Sequence, residues 1–369
     1  MEELGKEEIE KLYKLSNCNM CGDCLDEATG CQFLGYDHER AVKEVTALIE
    51  GRDTPVLEDC ITCQACQTFC KRGVNIANWI FHRMETGKTW TPLSGVDIYG
   101  LLPVLNKPWV MQKGDPDKPW LSVCLVHGLL GPVGDVNMFK DSRIFKDLNI
   151  FGGAMGCLVG MTHLGLENAT SPAAREAIKG LIEMYNTFGG GKEIIFSHDE
   201  CLGSLWQGEE VGLEVPFKHT HIVQYLNEYL KANKKDIKPL GLKIAQENNC
   251  SVRYGPDRDP WLDEFYELIG CTRVERKYDR ENQLCCTVPW VVMHRRAAVP
   301  ERGIASDVEN AAKMRKRNVD DAVAHGATHM AFICPACNSL LAGDCIDAGL
   351  VPINVIDLAK MAFGEKTVR

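Results

Sequence analysis

The sequence predicts an α+β multidomain protein: a small α-helical N-terminal domain followed by two repeated α/β domains. Three observations predict it. Eighteen cysteines occur in 369 residues, eight of them in two short runs near the N-terminus. Helical apolar spacing surrounds those runs. The remaining chain carries a degenerate internal repeat of strand, turn and helix. The length suits two or three domains at roughly 100–200 residues each. Hydrophobic residues at 45% and charged residues at 25% are those of a soluble globular protein.

The first fifteen residues, "MEELGKEEIEKLYKL", are acidic and amphipathic, without the basic start and apolar run of a signal peptide. No apolar stretch approaches the roughly 20 residues of a membrane span. The expectation is a cytoplasmic protein with no direct membrane span. A formal net charge of −10 argues against a nucleic-acid partner. The basic "MRKR" at 314–317 reads as a solvated helix face. In a long chain of this kind, clustered cysteines point to metal ligands or redox groups rather than disulfides.

The first run, "CNMCGDC", holds Cys18, Cys21 and Cys24, with Cys31 trailing; the second, "CITCQACQTFC", holds Cys60, Cys63 and Cys66, with Cys70 trailing. This is the ligand spacing of a pair of [4Fe–4S] cubanes, in which a tight C-x2-C-x2-C loop wraps three corners and a distant thiolate takes the fourth. In ferredoxins with this spacing the trailing cysteine serves the other cluster. That likeness assigns Cys18, Cys21, Cys24 and Cys70 to one cubane, and Cys60, Cys63, Cys66 and Cys31 to the other. The proline that often follows the trailing cysteine is replaced by Gln32 and Lys71. Zinc is the alternative, but its sites usually pair two C-x2-C units rather than run three cysteines together. Val42, Val45, Leu48 and Ile49 have helical spacing between the runs, and "VNIANWIFHRMETG" reads as a helix after them. Together they make an α-helical dicluster ferredoxin domain over 1–90. Residues 91–118, rich in proline and glycine, read as a linker.

The repeat occupies 119–235 and 240–369. "EIIFSHDECLGSL" (193–205) aligns with "HMAFICPACNSLL" (329–341), placing His198 on Cys334 and Cys201 on Cys337. "GGAMGCLVG" aligns with "ENQLCCTVP", placing Gly156 on Cys285 and Cys157 on Cys286. "HTHIVQYLNEYL" resembles "INVIDLAKMAFG" downstream, and each half opens on a strand candidate, "WLSVCLVHG" and "CSVRYGPDR".

A CC pair followed by C-x2-C, twice over, resembles the CCG-domain proteins of heterodisulfide reductase, and the N-terminal domain resembles that enzyme's small electron-transfer subunit. The likeness covers nearly the whole chain as a fusion of the two. It implies that each CCG repeat can hold an iron–sulfur centre; the family's catalytic subunit uses five cysteines per repeat for a non-cubane [4Fe–4S] cluster.

In the first repeat the family pattern falls on Cys124, Gly156, Cys157, His198 and Cys201, so three cysteines and one histidine stand where five cysteines are usual. A histidine ligand tends to raise a cluster's potential; the alternative is an empty repeat with His198 as a polar loop residue. In the second, Cys285, Cys286, Cys334 and Cys337 are present, but the leading cysteine is replaced by Asp257, Arg258 and Asp259. Cys250 lies at a matching count before Cys285 but at the start of the strand candidate, not its far end, and is kept outside the ligand set. Cys271 and Cys345 read as buried thiols. The insertion "WVVMHRRAAVPERG" brings His294, Arg295, Arg296 and Arg302, cations suited to a substrate anion or an acidic partner, or a plain surface loop.

The expected function is that of an iron–sulfur electron-transfer subunit in a multi-subunit anaerobic complex, with two N-terminal [4Fe–4S] clusters and one or two more in the repeats. The alternative is a disulfide reductase acting on a thiol or disulfide substrate at the second repeat. "FGGG" at 188–191 and "FGG" at 151–153 read as turn glycines at helix ends, not a dinucleotide fingerprint. Other redox subunits, one of them flavin-containing, are therefore the expected partners.

Overall fold

The acidic N-terminal segment forms helix α1 (Lys6–Tyr13), with Glu7 and Glu8 in the first turn, where the helix dipole favours negative charge. It ends where Lys14 turns left-handed at φ 54° and its N–H bonds back to Glu10. The structure is a computed structural model that describes residues 5–86, 108–124, 127, 136–140, 142–154, 172–253, 255–287 and 304–367. The chain divides into two compact units.

In the first unit, α2 (His38–Ile49) is capped by Asp37, whose carboxylate accepts the Arg40 N–H at 2.9 Å. Its Ala41, Val45 and Leu48 share one face and are buried. Two very short helices follow, α3 (Val56–Asp59) and α4 (Ala65–Phe69), then α5 (Ile76–Thr86). Tyr13, Leu48, Val56, Ile80, Phe81 and Met84 form the core together with Cys24 and Cys66. The cysteines of both runs are thus part of the packing rather than appended to it.

The second unit holds two sheets whose topologies repeat. In the first, β1 (Trp109–Gln112), β2 (Trp120–Cys124), β3 (Asn149–Ala154), β4 (Ile194–Phe196) and β5 (His219–His221) lie in the order β1-β3-β2-β4-β5. In the second, β6 (Lys243–Glu247), β7 (Thr272–Arg273), β8 (His329–Phe332) and β9 (Val351–Asn354) lie in the order β7-β6-β8-β9. Apart from β1, every pairing is parallel, and β3-β2-β4-β5 corresponds to β7-β6-β8-β9. Parallel strands need helical crossovers. The described helices around the strands are α6 (Pro172–Gly189), α7 (Asp199–Glu210), α8 (Ile222–Ala232), α9 (Asp259–Leu268), α10 (Ile304–Ala324), α11 (Pro335–Asp347) and α12 (Val355–Ala362); α6, α7, α9, α10 and α11 lie between strands of one sheet. Leu121, Ile195, Leu226, Ile244, Phe265, Ala331 and Leu358 belong to one apolar core that serves both sheets.

Three expectations are corrected. The strand candidate at 250–258 is not a strand: Cys250–Arg253 is a 3₁₀ turn, and the strand is β6, just upstream. β6 escaped notice because it carries Gln246 and Glu247, which are buried only because Tyr266 and Asn318 pair with them. Second, the stretch read as a linker contains β1, which pairs antiparallel with β3. Third, "FGG" lies within β3 rather than at a helix end. Gly152 there leaves room for β1, since a Cβ would meet the Met111 sulfur. No described helix is long and apolar enough to cross a membrane.

Candidate metal centres

The two N-terminal cysteine loops share one backbone design. Met20 and Thr62, each two residues beyond its first cysteine, both have φ 58°; Gly22 and Gln64, four beyond, have φ 83° and 63°. Left-handed residues at those places curl the chain so that its N–H groups turn inward. Met20 N–H donates to Cys18 Sγ at 3.4 Å and Thr62 N–H to Cys60 Sγ at 3.3 Å. At Gly22 the turn also passes so close to α2 that a Cβ would stand 2.8 Å from the Val42 nitrogen.

Cys18, Cys21, Cys24 and Cys70 line one cavity of about 300 Å³, with Lys71, Arg72 and Val45 on its wall. Cys31 stands within electrostatic reach of Cys63, and Cys66 within reach of Cys60, Cys63 and Cys31. Each trailing cysteine therefore sits with the loop distant from it in sequence. Cys24 and Cys66 are also mutual neighbours, so the two sets adjoin. Burial pushes the Cys31 thiol up to about 12, and burial also holds Cys24 and Cys66 well above the usual thiol range. Such thiols lose their protons when a metal takes their place.

In the second unit the candidate ligands stand at the C-terminal ends of parallel strands, the usual position for sites in α/β sheets. Cys124 ends β2; His198 and Cys334 lie two residues beyond β4 and β8; Cys201 and Cys337 lie in the first turns of α7 and α11. His198 is the N-cap residue of α7, yet its side chain makes no capping bond. Its Nδ1 lies 3.3 Å from Cys124 Sγ and 3.9 Å from Cys201 Sγ, and its Nε2 lies 3.3 Å from Cys334 Sγ. Cys124, His198 and Cys201 bring their ligand atoms within 4.8 Å of one another, all buried. The repeat alignment implied a separate site in each half; the structure joins the two sets of turns through one imidazole.

Beyond Cys334 the sulfurs continue. The Cys337 thiol is hydrogen-bonded to those of Cys334 and Cys286, and the Cys286 thiol to that of Cys285; all four are free cysteines. Cys334 is the N-cap of α11 and accepts the Cys337 N–H at 3.4 Å. Its thiol is held well below the usual range, first by the Cys337 side chain and then, against burial, by His198. Burial disfavours a charged His198, but Cys334 and Cys124 hold its pKa well above the usual histidine range. Cys250 stands within electrostatic reach of Cys286.

Two residues here were not in the sequence-derived set. Cys250 opens the turn after β6, close to the place that Cys124 holds at the end of β2 and that the misplaced strand had hidden. His127 is fully buried near Cys124, His198 and the Ser197 backbone, and burial brings its pKa down to about 4. A lone histidine after a strand carried no sequence signal. Cys271 and Cys345 are buried, the latter 3.5 Å from the Met330 sulfur. Gly156, Cys157 and the cationic insertion with His294, Arg295, Arg296 and Arg302 lie outside the described residues.

Sulfur-dominated donor sets, N–H groups aimed at sulfur, and buried thiols fit iron–sulfur groups. They are donor sets suited to holding metal through sulfur. No protein-family model matches the chain. Among curated proteins it is 23% identical to a component of the dihydromethanophenazine:CoB–CoM heterodisulfide reductase of Methanosarcina barkeri, over 84% of this chain and 78% of that one. It is 21% identical to the component of the same name from Methanosarcina mazei, over 97% of this chain and 96% of the relative. Among solved structures, a hypothetical protein from Helicobacter pylori matches with a TM-score of 0.58 and 14% identity, over 99% of this chain and 74% of that one, a likeness of fold alone. Along most of its length the chain is heterodisulfide reductase-like.

Proposed function

We propose that the chain is an iron–sulfur electron-transfer subunit of a multi-subunit anaerobic oxidoreductase complex. In this reading residues 1–90 are a dicluster ferredoxin domain, and 119–235 and 240–369 are two CCG domains. Cys18, Cys21, Cys24 and Cys70 hold one [4Fe–4S] cluster, and Cys31, Cys60, Cys63 and Cys66 the other. Cys124, His198 and Cys201, with Cys157 by resemblance, serve the first repeat; Cys285, Cys286, Cys334 and Cys337 serve the second. When bound, such clusters supply one-electron storage.

The observation that carries the reading is the pairing of equivalent loops. Two turns of the same backbone shape each gather three thiols and borrow the fourth from the other run. The relatives are named as subunits of a reductase, which supports redox partners; a flavin-containing one suits a chain with no dinucleotide fingerprint. Anaerobic purification with iron and sulfide counting tests it. About eight irons load only the first domain and about sixteen load both repeats, at four per cluster; fewer than about four would refute the reading.

One observation favours a second reading. With Cys250 beside Cys286, the second repeat gathers five cysteines, the number used by the family's catalytic centre. The chain would then itself reduce a disulfide, a reaction that takes two electrons and two protons and releases two thiols. EPR after partial oxidation with a thiol separates the two readings: a thiol-induced signal supports the reductase, and its absence leaves the relay.

A further inference from the structure

Beside His198 lies a buried ionic group that metal binding does not explain. Asp199 is fully buried, and its Oδ1 receives two partners. His221 Nδ1 accepts the Val223 N–H at 3.1 Å, which leaves Nε2 to donate to Asp199 Oδ1 at 2.5 Å. Arg258, from the other repeat, places Nε 3.1 Å from the same oxygen. Burial works against the Asp199 carboxylate, yet His221 and Arg258 bring its pKa down to about 2.

Arg258 is itself only 2% exposed. Its guanidinium lies 4.8 Å from the Trp206 ring, on the helix that Asp199 begins. Gly255 completes the cradle: a Cβ there would come within 2.5 Å of Trp206 and 2.9 Å of an Arg258 nitrogen. The next residue, Glu200, is tied across the repeats too. Its carboxylate accepts from Asn249 Nδ2 at 3.1 Å, and Asn249 O accepts from Gln283 Nε2 at 3.0 Å. Asn249 precedes Cys250, and Gln283 lies two residues before Cys285.

Burying an ion pair seldom adds net stability, because desolvation offsets the attraction; its better-attested use is to impose one arrangement among several. The arrangement at stake here is the turn carrying His198, whose ring must meet Cys124 on one side and Cys334 on the other. We propose that Arg258 is a positioning residue: by holding Asp199 from the opposite repeat, it fixes the His198 imidazole between the cysteines of the two halves. The proposal rests on the reading that those cysteines hold a metal centre.

The test uses the anaerobically purified full chain, followed by EPR during a redox titration with dithionite. Arg258→Met is expected to move the line positions and midpoint potential of the signal beyond the N-terminal pair, leaving the N-terminal signals as internal controls. Arg258→Lys, which keeps the charge, stays close to wild type, and Asp199→Asn shifts the same signal as Arg258→Met. If Arg258→Met does not fold, the contrast between Arg258→Lys and Asp199→Asn decides on the same terms. A repeat-centre signal unchanged in Arg258→Met and Asp199→Asn overturns the positioning role alone. A wild-type chain with no signal beyond the N-terminal pair overturns both the metal reading and the proposal.

Discussion

Cys70 offers the sharpest test of the N-terminal arrangement, because sequence proximity and the fold give it opposite partners. It lies four residues after Cys66 and closes the short helix α4, so proximity would attach it to Cys60, Cys63 and Cys66. In the structure it instead lines the 300 Å³ cavity with Cys18, Cys21 and Cys24. It stands within electrostatic reach of Cys24 and Cys18 across that cavity. Cys70→Ala therefore removes one of four thiols from the Cys18 set and none from the other. The expected loss is about four irons per chain relative to wild type, one cluster's worth. The assay is iron and sulfide content with low-temperature EPR of the reduced protein, beside Cys21→Ala and Cys63→Ala. Cys70→Ala should reproduce the spectrum of Cys21→Ala, and Cys31→Ala that of Cys63→Ala. If Cys70→Ala instead matches Cys63→Ala, the exchange of trailing cysteines is wrong, and with it the reasoning from the cavity.

Further expectations concern the loops and the buried charges. Gly22→Ala forces a Cβ onto Val42 at φ 83° and should strain the first loop by about 1–3 kcal/mol; iron release to a chelator, followed by visible absorbance, should quicken at the Cys18 set only. Stripping the metal should melt part of the N-terminal unit, because α3 and α4 have four and five residues and are too short to persist unaided. Far-UV circular dichroism should then lose helix while the strand signal stays. Glu247 is fully buried, and its carboxyl is pushed up to about 7 from an ordinary 4.5, by burial first and against the pull of Arg276 and Asn318. The folded state then holds the proton more tightly, so stability falls as pH rises from about 4.5 to 7 and is level above. Glu247→Gln should remove that loss, up to about 3 kcal/mol at pH 8, seen as a higher denaturation midpoint at pH 8 but not at pH 4.

The sequence and the fold differ most where polar residues are buried. Helices α2 and α5 are legible because apolar residues recur on one face, and β4 and β8 because they are short apolar runs before a turn. Their alignment exposes the repeat, and the two sheets share its strand order. Strand β6 shows the opposite case. Its Gln246 and Glu247 look like surface residues until Tyr266 and Asn318 are found beside them, from 20 and 71 residues away. That misreading displaced the strand and kept Cys250 out of the ligand set.

By itself the sequence determines the thiol chemistry: three cysteines at every third position must wrap together, since a local loop of fixed spacing has few ways to run. Such spacing is a short-range property, and so it is legible without the fold. Only the tertiary structure decides that Cys250 stands near Cys286 and that His198 touches both Cys124 and Cys334. Those partners lie 74 and 136 residues from it along the chain, where local pattern carries no information. They meet because parallel sheets align their strand ends, and the buried Arg258 lies 3.1 Å from Asp199 across the same junction.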